Sequence, residues 1–333
     1  MRKITAILFF MGIVTSLMAA QPANKQILKF GKNGKFRIVQ FSDTHIRGNC
    51  FQTDSVLTLI RRVIAVEQPD FVIFTGDVIQ LKPEEAWHNL GDVFAEVKIP
   101  WAAVLGNHDN QYGLTYAQNI EVASKLPYSL TENGPEDIYG NGNYVLNVQA
   151  SGSEKTAAVF YCLDAHGDIK FDQVEWYRKQ SRIITAQNGG EPLPSFAFFH
   201  IPIPEYPTLE RKIGFCNEKE CIMELNPGLF SAMHGCGDVM GMFVGHDHNN
   251  NYIGCLKGIS LAYGNITGWM SYGEIGRGAR VIDLYENQRK FDTWIRRFYD
   301  FEQDEEIWVR TGDTGRKFAV TYDNGELIYK TAN

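Results

Sequence analysis

The 333-residue sequence contains no Cys-X-X-Cys pair, so thiolate zinc sites of the usual spacing are excluded. Long runs of like charge are missing as well. Its 39 acidic and 32 basic side chains are interspersed to a formal charge of −7, which excludes the basic footprint of a dedicated nucleic-acid binder. Beyond residue 20 no stretch is apolar for long enough to cross a bilayer. There is no internal repeat and no low-complexity linker. What is present is a chain with 44% apolar residues, ample for one large or two medium globular domains.

The first residues, MRKITAILFFMGIVTSLMAAQ, combine Arg2 and Lys3, an apolar run from Ile4, and Ala19 and Ala20 before Gln21. That pattern predicts a secretory signal peptide over residues 1–20 and an exported, periplasmic or extracellular chain. The run is short for a spanning helix, and no cysteine follows it as a lipid attachment point, so no membrane attachment is expected after cleavage. Six cysteines in an exported chain permit disulfides. Cys216 and Cys221, in one polar loop, are the expected local pair. Cys236 and Cys255 are a second possible pair, and Cys162 in an apolar strand reads as a buried thiol.

Apolar and amphipathic stretches alternate along the first third. KFRIVQFSDTH (Lys35 to His45) reads as a strand ending in Asp43 and His45. Val56, Leu59, Ile60, Val63 and Ile64 recur at helical spacing from about Thr53 to Glu67, and Pro69 stops that helix. DFVIFTGD is a second strand, ending in Asp77. Pro83 opens another helix, PEEAWHNLGDVFAEV, and WAAVLGNHD is a third strand, ending in Asn107, His108 and Asp109. This alternation with short links predicts an α/β layered fold whose strand ends form one rim.

Farther on, a helix is expected from about Thr115 to Leu126, then strands in GNYVLNVQA and TAAVFYCLDA. FDQVEWYRKQSRIITA reads as a helix with Val174, Tyr177, Ile183 and Ile184 facing inward. FAFFHIPIPEY is a strand with His200 at its exit, ended by Pro202 and Pro204. The polar loop from Glu205 to Asn226 is where specificity is expected. NPGLFSAMHGCGD gives a short helix, and MGMFVGHDH (Met240 to His248) a buried strand that delivers His246 and His248. ISLAYGN, ARVIDLYE and KFDTWIRRF read as an antiparallel set, and Asn324-Gly325 as a hairpin turn. One catalytic domain over 21–300 with a small β appendage over 301–333 is the expected organisation.

The strand exits collect Asp43, His45, Asp77, Asn107, His200, His246 and His248: two carboxylates, one amide oxygen and four imidazoles. Nitrogen and oxygen donors without thiolate suit zinc, iron or manganese, and suit copper(I) or calcium poorly. Seven donors are too many for one four-coordinate ion and suit two if a carboxylate bridges. Asp77 is the expected bridge, with one oxygen for each ion. Two such ions activate water at neutral pH and clamp an in-line displacement at phosphorus, and neutral imidazoles leave the site positive toward a phosphate dianion.

DTH, GD, GNHD, a lone histidine and GHDH, in that order, resemble the calcineurin-like metallophosphoesterase superfamily from Phe36 to about Ile295. FFHIPIPEY, NPGLF, GDVMGMFVGHDH and LAYGN further resemble its purple acid phosphatase-like branch. The resemblance implies a four-layer α-β-β-α sandwich with mixed sheets and a dinuclear metal site at one edge. It implies Asp43, His45 and His248 on one ion, Asn107, His200 and His246 on the other, and Asp77 between. His108 is similar to the family's acid histidine, which assists the leaving oxygen, and Asp109 would hold its imidazole. True purple acid phosphatases carry an iron-binding tyrosine three residues after the bridging aspartate and no histidine in the first motif. Here Gln80 and His45 stand there, so no purple charge-transfer band is expected and the ion pair (Fe, Mn or Zn) stays open.

Outside that set, His166 in LDAHGD can reach the rim as a substrate contact. Arg277 and Arg280 are either phosphate contacts or ordinary ion-pair partners. Tyr263 and Asn265 line the cleft or pack the core. His88 reads as solvated and His234 as a helix-end group. The expected activity is hydrolysis of phosphomonoesters, small or on a phosphoprotein. The alternatives are a phosphodiesterase or nucleotide hydrolase on the same site, and a catalytically silent binding protein on the same scaffold.

Overall fold

The computed structural model describes residues 26–298 and 318–331; the expected leader lies outside the described residues. The first elements are β1 (Leu28–Lys29), β2 (Lys35–Phe41), α1 (Phe51–Glu67), β3 (Phe71–Thr75), α2 (Pro83–Val97), β4 (Trp101–Val104) and α3 (Tyr116–Lys125). The middle gives β5 (Tyr144–Gln149), β6 (Thr156–Cys162), α4 (Phe171–Gln187), β7 (Ser195–Phe198), α5 (Leu229–Cys236) and β8 (Val239–Val244). The last are β9 (Ile253–Leu256), β10 (Ile259–Tyr263), β11 (Gly278–Tyr285), β12 (Lys290–Arg297), β13 (Phe318–Asp323) and β14 (Glu326–Thr331).

The strands form two seven-stranded mixed sheets, β1-β5-β6-β7-β8-β10-β9 and β14-β13-β12-β11-β2-β3-β4. Each has a parallel part: β2, β3 and β4 in one, linked by α1 and α2, and β6, β7, β8 and β10 in the other, where α4 and α5 link the first three. Such strands are covered on both sides, which explains the unbroken apolar runs FVIFT and VMGMFV. Three apolar layers separate four structural ones. Val56, Ile60 and Trp87 of the first two helices pack on one sheet with Phe74 and Trp101. Phe36, Phe71, Phe160, Phe196 and Phe243 fill the space between sheets. Tyr177, Phe230 and Met233 of α4 and α5 cover the other sheet with Tyr161 and Met242. The architecture is the four-layer α-β-β-α sandwich.

Three expectations are corrected. ISLAY does not join the antiparallel set: β10 lies in the other sheet, parallel to β8, and all five of its residues are buried, so it had no alternation to read. On α4, Ile183 is 42% exposed, and Trp176 and Ser181 face inward in its place. It lies nine residues beyond Val174, and at about 100° per residue that is half a turn off the buried face. The six cysteines are all free. Cys255 lies on the inter-sheet side, its thiol donating to Gly325 O at 3.1 Å, whereas Cys236 packs in the helix layer on the other side of that sheet. Asn324 (φ 46°) and Gly325 (φ 96°) make the expected hairpin turn, and β13 pairs with β12.

One buried charge ties the helical layer to its sheet. Glu67, at the end of α1, accepts from Arg296 Nε at 2.6 Å and from Trp294 Nε1 at 3.4 Å, with the Arg37 guanidinium 3.7 Å away. A carboxylate this deep is tolerated only with such partners, so Glu67→Ala is expected to destabilise the fold by about 3–5 kcal/mol. The measurement is a lower denaturant midpoint at an unchanged slope.

Candidate metal centre

The parallel strands of both sheets point their C-terminal ends at the same edge of the sandwich. Asp43 and His45 follow β2, Asp77 follows β3 and Asn107 follows β4; His200 follows β7, and His246 and His248 follow β8. The donors thus come from the exits of two sheets that share one rim. Hydrogen bonds sew the two sets together. Gln40 Nε2 donates to Thr75 Oγ1 (2.8 Å) and across to Val244 O (3.0 Å), and His246 N donates to both oxygens of Asp43 at 3.2 Å.

Four of the seven donors sit on backbone in the left-handed region: Asp43 (φ 53°), His45 (φ 44°), Asp77 (φ 49°) and His246 (φ 79°). Each such residue costs roughly 1–2 kcal/mol in local conformation, and the sharp turns let residues past the last ladder bond aim at one point. Two glycines are required by close approach. A Cβ on Gly76, itself at φ 86°, would overlap the His200 ring, and one on Gly245 would overlap the Ser42 hydroxyl and crowd Asp43.

All seven converge. Donor atoms of Asp43, His45, Asp77 and His248 lie within 4.8 Å of one another, as do those of Asp77, His200 and His246, and Asp77 belongs to both groups. Asp77 Oδ2 is 3.4 Å from His200 Nε2 and 3.9 Å from His45 Nε2. Asp43 Oδ1 is 3.3 Å from His248 Nε2, and Asn107 Oδ1 is 3.1 Å from His200 Nε2. Asp77 Oδ1 accepts from His108 N at 2.8 Å. Asp77 Oδ2 is the oxygen that faces the imidazoles of His45, His108 and His200.

The residues fit a pair of cations. His45 is buried with neither ring nitrogen hydrogen-bonded, and burial pushes its pKa down to about 4, so it is a neutral imidazole beside two carboxylates. Burial and the charge of His200 likewise push His246 to about 4. An orphaned buried nitrogen costs about 1–3 kcal/mol, which coordination would remove. At His200 burial lowers basicity, but the Asp77 charge and hydrogen bond raise it further, to about 10. At Asp43 and Asp77 burial alone would raise the carboxyl pKa; the charges and hydrogen bonds of His248 and His200 outweigh it and hold both below the usual range. The pocket demands positive charge, and protons fill that demand when ions do not.

Surrounding groups fix the rings. His200 Nδ1 donates to Thr75 O (2.8 Å) and His248 Nδ1 to Tyr272 O (2.9 Å), which leaves Nε2 of each toward the cluster. The Tyr272 ring also stacks on His248 at 4.2 Å. Ser42 Oγ donates to Asp43 Oδ2 at 2.5 Å. Losing a partner of this kind typically weakens metal affinity about 10- to 100-fold, and that is the loss expected for Ser42→Ala in a metal titration.

Several expected roles change. Asp109 does not hold the His108 imidazole: its two oxygens accept from Gly106 N (2.7 Å) and Ile79 N (2.8 Å), because the turn after Asn107 directs it inward. Burial and the Asp77 charge push its pKa to about 7. Gln111 Oε1 pairs with His108 Nδ1 at 2.9 Å, and His108 Nε2, on a 40% exposed side chain, stands 4.0 Å from Asp77 Oδ2. Arg277 and Arg280 bind backbone carbonyls, Arg277 those of Ser271, Gly273 and Ile275, and Arg280 those of Tyr263 and Asn251. Arg280 also donates to Thr293 Oγ1 at 3.0 Å, and among the described residues neither guanidinium is hydrogen-bonded to an acidic side chain. Gln80 accepts from Arg47 Nε at 2.6 Å. Asn265 is buried and bonded to backbone. His88 and His234 are exposed.

Asp247, between the two histidines, was not anticipated. Its carboxylate accepts from Tyr263 OH (2.6 Å) and from Cys221 N, tying the 205–226 loop to the histidine turn. An aspartate inside GHDH carries no signal that separates this from a solvated turn residue.

A family model described as calcineurin-like phosphoesterase matches residues 36–250. The chain is 32% identical over 337 residues to "Probable inactive purple acid phosphatase 29" of Arabidopsis thaliana, covering 86% of each. It is 30% identical to "Phosphatase DCR2" of Saccharomyces cerevisiae, over 81% of this chain and 55% of that one. Among solved structures, a dimetal phosphatase from Danio rerio superposes with a TM-score of 0.55 at 13% identity, covering 79% of this chain and 96% of that one. That last likeness speaks to fold.

Proposed function

The chain belongs to the calcineurin-like phosphoesterase family, and from that premise we propose that it is an exported, dinuclear-metal phosphoesterase acting on phosphomonoesters. The observation that carries the reading is the complete donor set around Asp77, with His45 orphaned in the absence of a cation. Asp43, His45 and His248 would hold one ion, Asn107, His200 and His246 the other, and Asp77 would touch both. Bound there, iron, manganese or zinc would supply Lewis-acid neutralisation of the phosphoryl oxygens and activation of water.

The chain's own residues do the rest. Thr75 O and Tyr272 O fix the tautomers of His200 and His248. Gln111 accepts at His108 Nδ1, so Nε2 is the nitrogen that would carry a proton to the leaving oxygen. Two divalent ions set against the carboxylates of Asp43 and Asp77 leave a net charge of about +2, which favours a monoester dianion over a diester monoanion.

The relative named "probable inactive" favours a second reading, a silent binding protein on this scaffold. One experiment separates them: metal analysis of the purified mature protein, then a panel of phosphoesters in the metals found. About two ions per chain and turnover of monoesters are expected. Turnover of diesters alone favours a phosphodiesterase, and two bound ions without turnover favour the binding protein. Mass analysis of the secreted chain, expected to begin near Gln21, checks export.

A further inference from the structure

Three rings from three segments form a row that leads outward from the cluster. Tyr116, at the start of α3, donates its hydroxyl to Asn107 O at 3.4 Å, beside the segment carrying Asn107 and His108. His166, in the loop after β6, stacks on Tyr116 with ring centroids 3.8 Å apart and planes 23° from parallel. Tyr139, 43% exposed, continues the row, 6.1 Å from His166 and 29° from parallel.

The middle ring is held deliberately. Asp164, buried, accepts from His166 Nδ1 at 2.6 Å and from His166 N at 3.2 Å, and it also takes Asn141 N at 2.5 Å. Its neighbour Ala165 accepts from Ile201 N, so the loop is fastened to the residue after His200. His166 Nε2 has no hydrogen-bond partner among the described residues, and the ring is part-exposed. A buried carboxylate therefore fixes an imidazole that the core does not need, one ring away from a candidate metal ligand. Tyr139 is anchored in turn, its N donating to Asp172 Oδ2 at 2.8 Å, and Phe171 beside that aspartate is 73% exposed.

We propose that this row is the leaving-group subsite of the centre, with His166 as its specificity-determining residue, and that it selects phosphoesters with a planar aromatic leaving group. The proposal rests on the phosphoesterase reading above and narrows its substrate class. Flat rings gain from offset-stacked and edge contacts with other flat rings, beyond area burial, and an alkyl alcohol gains neither. The row begins at Asn107 O, one residue before His108, the group that would protonate a leaving oxygen.

The test uses the full mature chain loaded with the metals it retains, with phenylphosphonate and methylphosphonate as non-hydrolysable probes in calorimetry. Phenyl phosphate and ethyl phosphate serve as substrates. The wild type is expected to bind the phenyl probe about threefold to tenfold more tightly and to show a correspondingly lower KM for phenyl phosphate; kcat will differ between the two esters in any case, because phenolate is a far weaker base than ethoxide. His166→Ala should erase that preference, and His166→Phe, which keeps a flat ring, should retain it. Equal binding of the two probes by the wild type, or an Ala variant that weakens both alike, would overturn the subsite. So would a Phe variant that behaves like Ala, since the imidazole would then act through its nitrogens. If neither probe binds and no ester turns over, the phosphoesterase reading itself fails, and the subsite with it.

Discussion

Asp77→Asn is expected to strip the centre of metal and to lower turnover by about 10³-fold or more, because Lewis-acid stabilisation worth several kcal/mol is lost and each 1.4 kcal/mol is tenfold. Asparagine separates two jobs of this side chain. Its amide oxygen can still accept from His108 N, the bond that Asp77 Oδ1 makes at 2.8 Å, so the turn carrying His108 keeps its anchor. What disappears is the charge at Oδ2, the one oxygen that faces His45, His108 and His200 together. Those imidazoles then lose their shared counter-charge, and a second cation would meet a donor set with Asp43 as its single carboxylate. Metal analysis of the purified variant gives the first reading, with fewer than two ions per chain expected. A variant that retains both ions and its activity would remove Asp77 from the shared position.

Convergence of the donors was legible because each one follows a strand-like run in a chain that alternates strands with helices. WAAV, FVIFT and VMGMFV are buried throughout, and a parallel strand releases its chain at the same edge as its parallel neighbours. The division between two sheets came from the family resemblance and not from the strand pattern, since the same pattern describes one wide sheet or two facing ones. Register against a partner decides between them, and for β10 that partner is β8. Orientation past the strand ends was hidden as well. Asp109 and His108 are adjacent in GNHD, yet one turns under the loop to hold Gly106 and Ile79 while the other stands at the mouth. That choice depends on backbone angles, and the left-handed conformations of Asp43, His45, Asp77 and His246 occur at residues whose identities do not require them. The roles of Asp247 and Arg277 were hidden for a related reason. Their partners are a tyrosine hydroxyl and one backbone amide in one case and backbone carbonyls in the other, and backbone groups leave no pattern in sequence.

His108→Ala should give the opposite signature to Asp77→Asn: both ions retained, and turnover lowered by about 10²–10⁴. The ring stands beside the cluster, with Nε2 4.0 Å from Asp77 Oδ2 and Nδ1 paired with Gln111, so its removal takes away no ligand from either group of donors. The loss should depend on the leaving group, because a general acid matters most when the departing oxygen is strongly basic. Ethyl phosphate should suffer the full loss, whereas a p-nitrophenyl ester, whose phenolate departs unaided, should suffer much less. Gln111→Ala provides the graded control: it releases Nδ1 without removing the acid, so its effect should follow the same leaving-group order at smaller amplitude. A uniform loss across leaving groups in His108→Ala would mean that the ring binds the phosphoryl group in place of protonating the alcohol. Unchanged turnover on the alkyl ester would exclude it from the chemistry.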